Sequence, residues 1–319
     1  MSNQTRLFIL VFFAFLPTVA LYVHADRSMK AAQLADHETE LLRLANQAGL
    51  EYRAILRDTE SLLGALSEMA EFRTTPGPTC NRTLASIMRH MNHYTALQYI
   101  EPDGFVTCGS LAMDESLFVG DRYYHRATMA NNRFTVGEFV IGRLTGKPIV
   151  GLAYPTSRAD ASGSGGVLAA YLDLDQLANG VYQMDVPQGT TLTVIDGNGT
   201  VMIRVPAGVS GVGTDTVGAT VSAGFPTPSG EVIRGPYMMT GTDLDGVEKT
   251  FAVEPLEAAG RAASGHLLLA RTQEQMLADT EAIGARRLQL LAVAAVFMFI
   301  LAWMFGHYTL LRDRPTREA

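Results

Sequence analysis

Two uncharged, strongly apolar runs, LFILVFFAFLPTVALYV at residues 7–23 and LQLLAVAAVFMFILAWMF at 288–305, constrain this chain more than any motif does. Each is close to the ~20 residues that cross a bilayer as a helix. We read residues 7–23 and 288–306 as two transmembrane helices, the first bent at Pro17. Cleavage after Val23-His24-Ala25, as in a signal peptide, is the competing reading of the first run. With two spans, residues 1–6 and the short tail 307–319 lie on one side of the membrane. The roughly 265 residues between the spans lie on the other, room for one large or two smaller domains.

Orientation follows from two weak signals. Arg6, Arg312, Arg314 and Arg317 favour cytoplasmic termini, whereas Arg286 and Arg287 sit on the opposite flank of the second run. The chain has two cysteines, Cys80 and Cys108, both in the central region. A lone pair in a translocated domain reads as one disulfide, with two buried free thiols as the alternative. The expectation is a two-pass protein of the inner (plasma) membrane with a periplasmic or extracellular centre. A net charge of -7 implies no nucleic-acid partner.

Residues 24–72 lack proline, and Leu34, Leu41, Ala48, Ile55, Leu62 and Met69 recur every seven residues, with Ala45, Tyr52 and Leu66 at the offset of four. Glu38 and Thr59 interrupt the pattern. A heptad of this kind predicts a long helix packed along another helix, such as the same helix of a second subunit. A helix lying on its own domain accounts equally well for the upper half. TTPGPTC ends the helix, since two prolines bracket a glycine. A shorter helix, Asn81 to about Tyr94, follows.

A repeat comes next. ALQYIEPDGFV at 96–106 and TLTVIDGNGTV at 191–201 each alternate apolar residues into an acidic, glycine-containing turn and a return strand, the pattern of a β-hairpin. GGVLAAYLDLDQL at 165–177 pairs with SGHLLLARTQEQM at 264–276, each a strand running into a helix start. Between them FTVGEFVIGR and KPIVGLAYPT read as adjacent strands, and EVIRGPYMM, TGTDLDGVEKT and FAVEPLE follow in the second copy. The outer region is therefore two tandem copies of an α+β unit, at 73–180 and 181–284, built on antiparallel meanders.

Catalytic motifs fail. GRLTGKP has three residues between its glycines where a phosphate loop needs four, and Pro148 replaces the magnesium-binding hydroxyl. SGSGG lacks the spacing of a nucleophile elbow. His90 and His93 have no third ligand type beside them, so no metal is expected. We expect no enzyme activity and no cofactor.

The order and spacing of YIEPDGFVTCGS, GDRYYHRA, FTVGEFVIGRLTGKP, GVLAAYLDLDQL, TVIDGNGTVMIRVP and GTDLDGVEKTFAVEPL resemble the double Cache (dCache) sensor domains of bacterial chemoreceptors, histidine kinases and diguanylate cyclases. The resemblance spans roughly residues 26–282. It implies a long N-terminal signalling and dimerisation helix, then membrane-distal and membrane-proximal PAS-like (Cache) modules, all flanked by transmembrane helices. It also implies a small-molecule ligand (an amino acid or an organic acid) in the distal module and a role in signal transduction; with the heptad helix, the expectation is a homodimer.

Carried over by position, the resemblance points to Arg122 for a ligand carboxylate, Tyr124 for packing or hydrogen bonding, Tyr123 and His125 beside them, and Asp173 for an amine. Tyr124 and His125 stand where the family has Trp-Tyr. A planar guanidinium suits bidentate carboxylate recognition, and aromatics bracket small ligands. Structural roles compete: Arg122 in a salt bridge with Asp121 or Glu138, Asp173 as a cap on the following helix, Arg126 and Arg133 at the surface. Few residues follow the second apolar run. The expectation is a sensor that uses a separate cytoplasmic output protein, with a truncated cyclase or kinase as the alternative and a ligand-free module modulating a membrane partner as another.

Overall fold

The structure, a computed structural model, describes residues 3–73, 78–113, 117–157, 165–182, 186–205, 216–221, 225–226, 235–256 and 265–312. The elements run α1 (Asn3–Ser67), α2 (Ala70–Arg73), α3 (Thr79–Met88), β1 (Tyr94–Ile100), β2 (Phe105–Gly109), β3 (Leu117–Phe118) and α4 (Tyr123–Asn131). They continue with β4 (Thr135–Ile141), β5 (Pro148–Pro155), β6 (Val167–Asp173), α5 (Leu174–Tyr182), β7 (Thr191–Asp196) and β8 (Val201–Val205). The last are β9 (Tyr237–Thr242), β10 (Glu248–Pro255), β11 (Gly265–Arg271) and α6 (Gln273–Arg312). The chain forms two compact units, one of residues 1–38 with 273–319 and one of residues 39–272.

In the larger unit, β3-β2-β1-β6-β5-β4 form one sheet and β8-β7-β11-β10-β9 another. All pairings within named strands are antiparallel. Apart from the short edge strand β3, both sheets have the same order, with each hairpin's first strand beside the last strand of its copy. Every residue of β6 is buried, because helices cover both faces of its sheet. On one face Gly64 of α1 packs against the Tyr154 ring, and the Tyr94 hydroxyl hydrogen-bonds Thr59. α4 lies on the other, against β4 and β5. α1 also reaches the second sheet, where Arg53 donates to Glu254 at 2.7 Å.

The buried face of α1 is Leu41, Leu44, Ala45, Ala48, Tyr52, Leu56, Thr59, Leu63 and Leu66. This follows the 3.6-residue turn of a straight helix. It drifts off the expected seven-residue seam, leaving Ile55 and Leu62 half-buried and Met69 exposed. Thr59, read as an interruption, is fully buried because its hydroxyl is satisfied by Tyr94 and by the Ile55 carbonyl. In this segment α1 packs on its own domain.

Three further differences concern boundaries. The helix after the prolines ends at Met88, and Tyr94 opens β1. In the second copy TGTDLDGVEKT is the end of β9, a tight turn with Gly246 donating to Asp243, and the start of β10. Of the strand expected over 231–239, residues 231–234 lie outside the described residues, and Tyr237 opens β9. Cys80 of α3 and Cys108 of β2 form a disulfide with Cα atoms 6.1 Å apart. Residues 7–23 and 288–306 are helical, within α1 and α6. Among the described residues, no helix is long and apolar enough to cross a membrane.

Candidate functional site

GDRYYHRATMANN begins as a turn and becomes α4. Arg122 is the N-cap, with φ -73° and ψ 140°, and Asn132 ends the helix in the left-handed region at φ 48°. Tyr124, Ala127 and Thr128, spaced along one helical face, are buried together with His125. Two glycines make room for the Tyr124 ring. A Cβ on Gly151 of β5 would lie 2.4 Å from Tyr124 Cδ1, and one on Gly137 of β4 would lie 3.2 Å from Tyr124 Cβ. The ladder between β4 and β5 is irregular between Val136 and Phe139, where Gly137 sits.

Tyr124 forms the floor of a pocket with Tyr171 and Gln98. The Tyr171 hydroxyl donates to Gln98 Oε1 at 2.6 Å, which leaves the Tyr124 hydroxyl, 3.1 Å away, to donate to Tyr171. The two rings meet edge to face, with centroids 5.7 Å apart. Burial raises both phenol pKa values, so the hydroxyls remain protonated at neutral pH.

The mouth carries two guanidinium groups, Arg122 from the start of α4 and Arg143 from the β4–β5 turn. Arg122 donates to the Ile141 carbonyl at 3.2 Å. Arg143 forks onto both carboxylate oxygens of Asp121, each at 2.7 Å, and donates to the Phe118 carbonyl at 2.6 Å. The Arg143 fork holds the Asp121 carboxyl below its ordinary pKa and raises that of Arg143. Thr95, Thr145, Leu117, Val119, Val140 and Ile149 complete most of the wall. The free volume is about 20 Å³, room for little more than one water. No carboxylate side chain lines the pocket among the described residues.

Of the five residues expected at the site, the pocket brings together Arg122 and Tyr124. Tyr123 is half-buried and outside the lining. His125 is buried with Nε2 3.2 Å from the Glu101 carbonyl, also outside it. Asp173, expected to meet an amine, is likewise not in the lining. Its Oδ1 accepts the Asp175 and Gln176 amides at 3.0 and 3.3 Å, capping α5, and its Oδ2 meets Lys147 Nζ at 2.8 Å. That bond raises the Lys147 pKa. Arg122 has no ion pair with Asp121; Arg143 takes that carboxylate. Arg126 and Arg133 are exposed.

Sequence reasoning missed Arg143, Tyr171 and Gln98. Tyr171 lies two residues before Asp173, one step along a strand whose side chains alternate. Gln98 is a polar residue inside an apolar strand, 2% exposed, and such a residue needs a partner.

No family model and no curated protein matches the sequence. Solved structures do. The ligand-binding domain of the Pseudomonas aeruginosa amino-acid chemoreceptor PctB in complex with L-Arg is 14% identical, with a TM-score of 0.60, over 81% of this chain and 99% of that one. The corresponding domain of P. aeruginosa PctC in complex with GABA is 16% identical, with a TM-score of 0.54 over 74% of this chain and 99% of that one. The chain has the fold of a Cache-type sensory domain. The Campylobacter jejuni chemoreceptor Tlp3 domain in complex with L-valine adds a further Cache-type neighbour, 12% identical, with a TM-score of 0.53 over 77% of this chain and 97% of that one.

Proposed function

We infer that this chain is a membrane-anchored extracytoplasmic sensor whose distal pocket binds a small organic acid. The observation that carries the reading is two guanidinium groups over a neutral floor of Tyr124, Tyr171 and Gln98. The chemoreceptor domains of similar fold hold amino acids or GABA. In this pocket the cations would engage a carboxylate, while among the described residues no acidic side chain lines it to meet an ammonium group. Asp121 and Asp173 are already paired, with Arg143 and Lys147. The ligand class is therefore a small carboxylate without an amine.

A membrane setting is supported by the surface of α6. Leu288, Leu290, Val293, Val296, Phe297, Ile300, Leu301 and Trp303 are each at least 46% exposed, a patch far larger than water tolerates on a lone protein. The disulfide between Cys80 and Cys108 supports an oxidising compartment. A homodimer along α1 is part of the proposal, with Leu62 only half-buried by the chain itself.

The test is a thermal-shift and calorimetric screen of the full chain in lipid nanodiscs against small mono- and dicarboxylates and the corresponding amino acids. Some carboxylate should raise the melting temperature, and Arg122→Ala and Arg143→Ala should each weaken it about tenfold or more. A folded chain that answers to no carboxylate would sink the reading. The small free volume favours the other reading, a ligand-free module that modulates a membrane partner. That version keeps its partner in co-purification with both arginines replaced.

A further inference from the structure

A second cavity lies in the larger unit, away from the arginine pocket. Its walls come from α1 (Ala48, Tyr52, Ile55), from Leu177 of α5 and from the second sheet, where Val194, Ile203 and Leu267 are all buried. Its free volume is about 200 Å³, against the 150 Å³ or so that suffices for a benzene ring in an apolar cavity.

Three features indicate what would occupy it. The body is apolar, so a hydrophobic group gains by entering. Tyr52, only 6% exposed, lines the cavity, and among the described residues its hydroxyl makes no hydrogen bond. A largely buried tyrosine whose hydroxyl lacks a protein partner is uncommon and marks a place for a ligand's polar atom or a water. The charged residues in the lining are both acidic: Glu51 and Asp58, exposed at the rim and two helical turns apart on α1. Among the described residues no lysine or arginine lines the cavity; His93 and Gln176 are the other polar lining residues, both exposed.

We propose that this cavity is a second ligand site, for a small organic amine with an apolar body. The apolar part fills the space between α1 and the second sheet, while the amine end meets the Tyr52 hydroxyl and the field of Glu51 and Asp58. An anion is excluded by the same two carboxylates. A molecule held there touches the long helix, the helix between the two sheets and the second sheet at once, so it stabilises one packing of all three. The site is independent of the arginine pocket and does not rest on the function proposed for it.

The test uses the full chain in nanodiscs and the probe 2-phenylethylamine, with 3-phenylpropionate as an anion of similar shape. The amine should raise the melting temperature saturably, and the anion should not do so through this site. Tyr52→Phe should raise the half-saturating amine concentration about fivefold, and Asp58→Asn about two- to fivefold. Ala48→Leu, which fills the space, should abolish the response; should that variant not fold, the exposed Glu51→Gln serves in its place. Arg122→Ala should leave the amine response intact, which separates failure here from failure of the organic-acid reading. The proposal is overturned by a folded chain with no saturable amine response, by an amine response unchanged in Tyr52→Phe and Asp58→Asn, or by an equal response to the anion that those variants also weaken.

Discussion

Asp243→Asn is the sharpest test of what holds the second sheet together. The Asp243 carboxylate is fully buried and accepts from Arg204 at 2.8 and 3.0 Å and from Lys249 at 2.6 Å, the two cations being 7% and 8% exposed. Arg204 also donates to Thr193, and Lys249 to Asp245 at 2.5 Å. Removing the one shared anion leaves two nearly buried cations facing each other, with only Asp245 partly exposed beside them. Breaking a buried pair in this way costs about 3–5 kcal/mol. In a unit of this size each kcal/mol moves the melting temperature by about 2–4 °C, so a drop of about 6–20 °C is expected in a circular-dichroism melt. The pH dependence has a defined sign. Burial pushes the Asp243 carboxyl up, but the hydrogen bonds from Arg204, Lys249 and the Leu244 amide outweigh it, and the net shift is downward. Its contribution is complete above the unfolded carboxyl pKa near 3.9 and is lost as pH falls through the lower folded value. Asp243→Asn should therefore flatten the acid limb of the stability profile. A loss below about 1 kcal/mol, with the acid limb unchanged, would refute the reasoning.

Two further outcomes follow from the first sheet. Gly151→Ala should displace the Tyr124 ring, since the new methyl meets Cδ1 at 2.4 Å; a loss of about 1–3 kcal/mol in urea unfolding is expected, with organic-acid binding weakened in the same variant. Cys80 and Cys108, 28 residues apart, should resist thiol labelling until reductant is added; reduction should cost about 3–4 kcal/mol by the loop-entropy argument.

How far the residues announce the fold depends on whether the signal is local. The tandem repeat was legible because each hairpin carries its own alternation and turn, and the two sheets share one strand order. The face of α1 was half legible. Leu41, Ala48 and Tyr52 are common to a heptad and to a 3.6-residue helix, and the two patterns separate only further along, at Ile55 against Leu56 and Leu62 against Leu63. The candidate site was least legible, because it is made by long-range pairing. Nothing near Asp121 in the chain says that its carboxylate is taken by Arg143, 22 positions later, leaving Arg122 unpaired by it. Likewise Asp173 looks available until the turn brings Lys147 to it and α5 presents its first amides.

The β4–β5 turn is where these long-range pairings meet. Arg143 faces the pocket mouth, and Lys147, at the other end of the same turn, holds the Asp173 carboxylate that caps α5, the helix leading to the second sheet. A ligand carboxylate that draws Arg143 away from Asp121 must therefore act on a segment also tied to α5. Lys147→Ala separates the two ends. Lys147 is half exposed and outside the pocket lining, so its loss should cost about 1 kcal/mol or less and leave organic-acid affinity within about twofold, because Arg122 and Arg143 remain. The amide contacts that cap α5 also remain, so the helix itself should persist. What should diminish is the ligand-dependent change in hydrogen exchange over α5 and β7, which reaches them through the Lys147–Asp173 bond. Protection there that changes with ligand as strongly in Lys147→Ala as in the parent chain would show that the turn carries no coupling.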